Sequence, residues 1–86
     1  MVDKKALVGV IYNNPVAVKF VKADGSTRVM VCTLSDKLVP PGQLSRVAQV
    51  DPNQDYLRVW DLEKMEWRSF KYATVQEYKV LERVTA

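Results

Sequence analysis

The sequence contains no histidine and one cysteine, and these two shortages remove most of the chemistry an enzyme uses. Without histidine the usual proton carrier near neutral pH is missing. Cys32 has no partner for an internal disulfide and no activating neighbour in its segment, so strand packing is favoured over a reactive thiolate. Only three glycines are present, and none belongs to a phosphate-cradling loop. Asp61, Glu63 and Glu66 cluster, but beside Lys64 and Arg68, and read as solvated charge around a hairpin loop rather than a metal site. No apolar run approaches the roughly 18 residues that a transmembrane helix needs. The start, Met1-Val2-Asp3-Lys4-Lys5, also lacks the apolar stretch of a signal peptide. Small secreted domains usually carry several disulfides, so the expectation is a soluble protein of a reducing, cytosolic compartment. Neither catalysis, a cofactor, a metal nor a membrane partner is expected.

What is present fits one small domain spanning residues 1–86. Hydrophobic residues make up 48% and charged residues 27%, the balance of a globular chain rather than a disordered one. Thirteen Lys+Arg against ten Asp+Glu leave a net charge of +3, which admits a polyanionic partner without demanding one.

Residues 3–12 read as a helix, with Asp3 as N-cap and Ala6, Leu7, Val10 and Ile11 recurring along one face. Asn13-Asn14-Pro15 ends it. Val16 to Lys22 and Thr27 to Leu34 then form a hairpin around Asp24-Gly25, whose glycine supplies a positive φ. A two-residue turn there puts Phe20 opposite Val29 and Val18 opposite Val31. Val16, Val18, Phe20, Val29 and Val31 then share an apolar face, leaving Lys19, Val21, Arg28, Met30 and Cys32 on the other.

Residues 35–55 form a variable loop region, broken by Pro40-Pro41-Gly42 and by Asp51-Pro52-Asn53-Gln54-Asp55. Leu44, Val47, Ala48 and Val50 fit a short strand or a helical turn equally well. A second hairpin follows, Tyr56–Leu62 with Trp67–Tyr72, around the loop Glu63-Lys64-Met65-Glu66. In that register Val59 faces Phe70 and Asp61 faces Arg68, while the other face pairs Arg58 with Lys71, Trp60 with Ser69 and Leu62 with Trp67. A last strand runs from Glu77 to Val84. One short N-terminal helix and five or six strands outline an all-β, SH3/Sm-like barrel.

The segments Val18-Lys19-Phe20, Lys22, Asp24-Gly25, Arg28-Val29-Met30 and Cys32-Thr33-Leu34 resemble the opening of a group of small tailed-bacteriophage proteins. These are described as WYL-like, with an Sm-like SH3 β-barrel fold. Val59-Trp60-Asp61-Leu62 and Trp67-Arg68-Ser69-Phe70 look like that group's second motif. The resemblance spans roughly residues 3–75 and implies a barrel and a phage source more firmly than an activity. Related WYL domains are thought to sense ligands or nucleic acid, and Sm-like barrels often bind RNA as rings; neither role transfers with the fold alone.

Spacing supports a binding surface in one place. Trp60, Trp67, Arg58 and Lys71 share a face of the second hairpin, where indoles stack bases and cations, with Arg68 nearby, contact phosphates. These five residues are the candidate site for RNA or single-stranded DNA. The competing reading places the tryptophans in the core or in an interface. A further alternative is an adaptor or inhibitor that docks on a host protein through the same tryptophans. A nucleotide or other small ligand held between copies of a homo-oligomer is a third. Asp61 and Arg68 read as a cross-strand ion pair, and Lys4, Lys5, Lys19, Lys22 and Arg28 as an ordinary solvated rim. The leading expectation is a non-catalytic phage protein acting in the infected host's cytoplasm on nucleic acid or its machinery.

Overall fold

Asp3 opens the first element as the sequence requires. Its carboxylate accepts the Lys5 amide at 3.0 Å, and helix α1 runs Lys4–Asn13. The computed structural model describes residues 3–46 and 54–81. Of the face expected to be buried, Leu7 and Ile11 are fully covered, whereas Ala6 faces solvent. Val8 and Val10 pack against the core from the flanks, so the buried stripe is centred one residue away from Ala6. The helix ends at Asn14, which turns extended before Pro15.

Five antiparallel strands follow among the described residues: β1 (Val16–Val21), β2 (Thr27–Thr33), β3 (Tyr56–Asp61), β4 (Glu66–Lys71) and β5 (Val75–Val80). They form one sheet in the order β4-β3-β2-β1-β5. The last strand begins and ends earlier than the expected Glu77–Val84, and residues 82–86 lie outside the described range. Residues 41–46 form a 3-10 turn that contains Leu44, while Val47, Ala48 and Val50 lie outside the described residues.

The first hairpin forms, but its register differs by one residue from the expected pairing. Phe20 faces Arg28 and Val18 faces Met30. The loop has three residues, Ala23-Asp24-Gly25, with the Gly25 amide donating to Lys22 O at 2.9 Å and Gly25 at φ +88°. This is a type I turn closed by a left-handed glycine, and it inserts one residue relative to a two-residue turn. Because strand side chains alternate, one residue inverts the partner strand. Met30 and Cys32 therefore enter the core beside Val16 and Val18, and Val29 stands outside, 55% exposed.

Strand β2 joins two halves. It pairs with β1 along its length, but with β3 only through Cys32↔Asp61 and Thr33↔Trp60. This short junction lets the β3–β4 hairpin fold over the β2-β1-β5 half. Phe20 and Phe70 stack between the halves at 6.0 Å, and Phe70 meets Tyr72 edge-on at 6.3 Å. Helix α1 is tied to the same junction: Thr33 Oγ1 donates toward Ile11 O and Asn14 O at 3.2 and 3.0 Å, and the Leu34 amide donates to Ile11 O.

Candidate nucleic-acid interface

The β3–β4 hairpin also shifts from its expected pairing, but by two residues. Val59 faces Arg68, Trp60 faces Trp67, Arg58 faces Ser69 and Tyr56 faces Lys71. The loop is Leu62–Met65, one residue earlier than expected, with Met65 in the left-handed region at φ 56° and its amide bound to Asp61 O. A displacement of two preserves alternation. Arg58, Trp60, Trp67 and Lys71 therefore do share the outer face, joined by Tyr56 and Ser69. Arg68 does not. It falls on the same side of the edge strand as buried Phe70, opposite Val59, and pairs with Glu66 at 2.7 Å.

The expected Asp61–Arg68 ion pair is thus absent, because the register separates the two. Asp61 is instead 1% exposed, so it is not part of the solvated loop charge either. One oxygen accepts the amides of Glu63 and Lys64 at 2.9 Å each, and the other meets Arg28 Nη2 at 3.4 Å. The basic rim is similarly committed in part: Lys19 lies 3.8 Å from Glu77, and the Lys4 ammonium sits 5.0 Å from the Tyr72 ring centre.

The two indoles have different environments. Trp60 is 4% exposed, so it has no free face on which to stack a base. Trp67 is half-buried, meets Trp60 edge-on at 5.3 Å, and donates its ring N–H to Gln43 Oε1 at 3.1 Å. The Arg58 guanidinium lies 4.9 Å from the Trp67 ring centre, a cation–π contact that holds the arginine in place. An open depression of about 210 Å³ lies beside this pair, lined by Tyr56, Arg58, Trp67, Arg68 and Ser69. Tyr56, at 42% exposure, is the free aromatic of this face. The sequence reading missed it as a site residue, although its alternation with Arg58 and Trp60 was the available signal.

Electrostatics favour an anion here. Among the described residues, no carboxylate lies within 4 Å of Arg58 or Lys71, and Arg68 reaches the rim despite its Glu66 partner. A second depression of about 260 Å³ crosses β2-β1-β5, lined by Ala17, Lys19, Val29, Glu77, Tyr78 and Lys79, and differs in carrying a carboxylate, Glu77, 3.8 Å from Lys19. Cys32, by contrast, is chemically quiet: burial, aided by the Asp61 charge, pushes its thiol up to about 12.

A five-stranded antiparallel sheet with a helix at one end, carrying an aromatic and cationic outer face, defines a small Sm-like SH3 barrel. Residues 5–75 match the family model WYL_2, Sm-like SH3 beta-barrel fold, and the chain belongs to that family. Searches of curated proteins and of solved structures find no match. No helix among the described residues is long and apolar enough to cross a membrane.

Proposed function

We propose that the protein is a non-catalytic binder of single-stranded nucleic acid that uses the outer face of the β3–β4 hairpin. The observation that supports this reading is the convergence of Tyr56, the Arg58–Trp67 pair, Arg68 and Ser69 around one open depression, with Lys71 paired across the strands from Tyr56. Exposed aromatic faces take bases of any sequence, while unpaired cations beside them follow the phosphates. Trp60 has a different part from the one its spacing suggests: it supports Trp67 from below rather than meeting ligand. The reading includes a bacteriophage source and action inside the infected cell, on the strength of the motif resemblance described above.

The adaptor reading is weakened by the same burial, since Trp60 cannot anchor a protein partner. The two are separated by a titration of labelled single-stranded RNA and DNA at several salt concentrations. A phosphate-contacting face gives affinity that falls steeply with salt, and Arg58→Ala or Lys71→Ala lowers the logarithmic slope by about one each. Salt-independent affinity, or slopes unchanged in both variants, refutes the proposal.

A further inference from the structure

The arrangement of this face specifies more than a basic surface. Tyr56 and Arg58 are alternate residues of β3 and point to the same side. Alternate residues on a strand face stand about 6.6–6.8 Å apart. That backbone spacing is close to two stacking distances, the width that one flat ring between two planar side chains requires. Three details keep the gap open. The Arg58 guanidinium leans on Trp67, whose partner across the strands is Trp60, and so tilts away from Tyr56. Ser69, opposite Arg58, is small and leaves the floor low. Lys71, an exposed cation, is the strand partner of Tyr56 next to the depression. The resulting depression of about 210 Å³ is smaller than the roughly 300–1,000 Å³ of drug-sized ligand sites.

Resting on the nucleic-acid reading, we propose that this depression is a single-nucleotide notch. One base inserts between the Tyr56 phenol and the free face of the Arg58 guanidinium, its edge toward Ser69 and its phosphate toward Lys71. The order of layers is then phenol, base, guanidinium, indole. In this arrangement Trp67 never touches the base; it holds Arg58 flat, and Gln43 holds Trp67 through the indole N–H. The notch takes a mononucleotide unit as its ligand, either free or as one unstacked residue of a strand. Lengthening the strand adds only the salt-dependent contribution of its phosphates.

The probes are adenosine 5′-monophosphate, ribose 5-phosphate and a fifteen-nucleotide single strand, followed by tryptophan fluorescence and by amide chemical shifts. Wild-type protein is expected to bind the mononucleotide, with shifts centred on Tyr56, Arg58 and Ser69, and to ignore ribose 5-phosphate. Tyr56→Ala is expected to weaken the mononucleotide about tenfold, as loss of one stacking partner does. Ser69→Leu fills the floor while retaining every cation, and because Ser69 is exposed the fold tolerates it. It is expected to abolish mononucleotide binding and to leave salt-dependent strand binding measurable. If Ser69→Leu binds the mononucleotide as wild type does, or if wild type binds only the long strand, the notch is wrong and the nucleic-acid reading stands. If wild type binds neither, both fall.

Discussion

Arg28 of β2 and Asp61 at the end of β3 meet, Nη2 to Oδ2 at 3.4 Å, linking the β2-β1-β5 half to the β3–β4 hairpin. The carboxylate is almost fully covered and also fixes the hairpin loop through two amides. Removing it leaves a cation and two N–H groups without partners. Asp61→Ala is therefore expected to lower stability by about 2–4 kcal/mol in urea unfolding, from lost hydrogen bonds and the unpaired charge. Arg28, whose side chain is 25% exposed, is expected to cost about 1 kcal/mol when truncated. Equal losses in the two variants would assign the effect to the ion pair rather than to the loop amides.

The buried thiol gives a pH signature. Burial raises the Cys32 thiol from 9.0 to about 12, with the Asp61 charge as the smaller cause. The raised group is protonated in the folded chain while the unfolded chain has already lost its proton. Its contribution to stability is thus complete below pH 9 and declines as pH rises toward 12. Native protein at pH 8 is expected to resist a disulfide-exchange reagent, and urea-unfolded protein to react with it at once. Rapid labelling of the native state would contradict the packing described for Cys32.

The two indoles are expected to separate in spectroscopy and in stability. A soluble quencher should reach Trp67 and not Trp60. Trp60→Ala is expected to cost about 3–5 kcal/mol as a large buried truncation. Trp60→Phe should cost distinctly less, because the Trp60 N–H is buried without a hydrogen-bond partner among the described residues. Trp67→Phe sacrifices the Gln43 bond and is expected to loosen Arg58, read as weaker nucleotide binding with a nearly unchanged unfolding midpoint.

Two glycine-to-alanine changes are expected to have opposite signs. At Gly25 a Cβ meets nothing within 4 Å, yet φ is +88°, so Gly25→Ala costs about 1–2 kcal/mol of backbone strain. At Gly9, inside α1, a Cβ again meets nothing, and Gly9→Ala stabilises by about 1 kcal/mol through helix propensity. Thermal unfolding of the two single variants measures both.

Much of the barrel is legible in the chain. The helix, its Asp3 cap, both hairpins and the grouping of Arg58 with Trp67 and Lys71 follow from spacing. What escapes is register. Asp24-Gly25 serves a two-residue turn and a three-residue turn equally well, and only the surrounding packing selects Met30 over Val29 for the interior. The second hairpin tolerated the same uncertainty because its displacement was even. Burial of Trp60 was illegible for a related reason. Alternation says which residues share a face, and it is silent on whether another segment covers one end of that face.

The attachment of α1 has a consequence for the register of the first hairpin. A ten-residue helix is too short to persist alone in water, where stability begins at about 12–15 residues. The Ile11 carbonyl in its last turn and the carbonyl of the cap residue Asn14 take donors from Thr33 and Leu34, about twenty residues later. The end of the helix is therefore completed by contacts with the end of β2, and its stability is tied to the register of the first hairpin. A chain slipped by one residue there would present Leu34 in place of Thr33 and lose the hydroxyl that ties the helix end. Closure of the first element in the sequence and the register of the next two are thus energetically coupled.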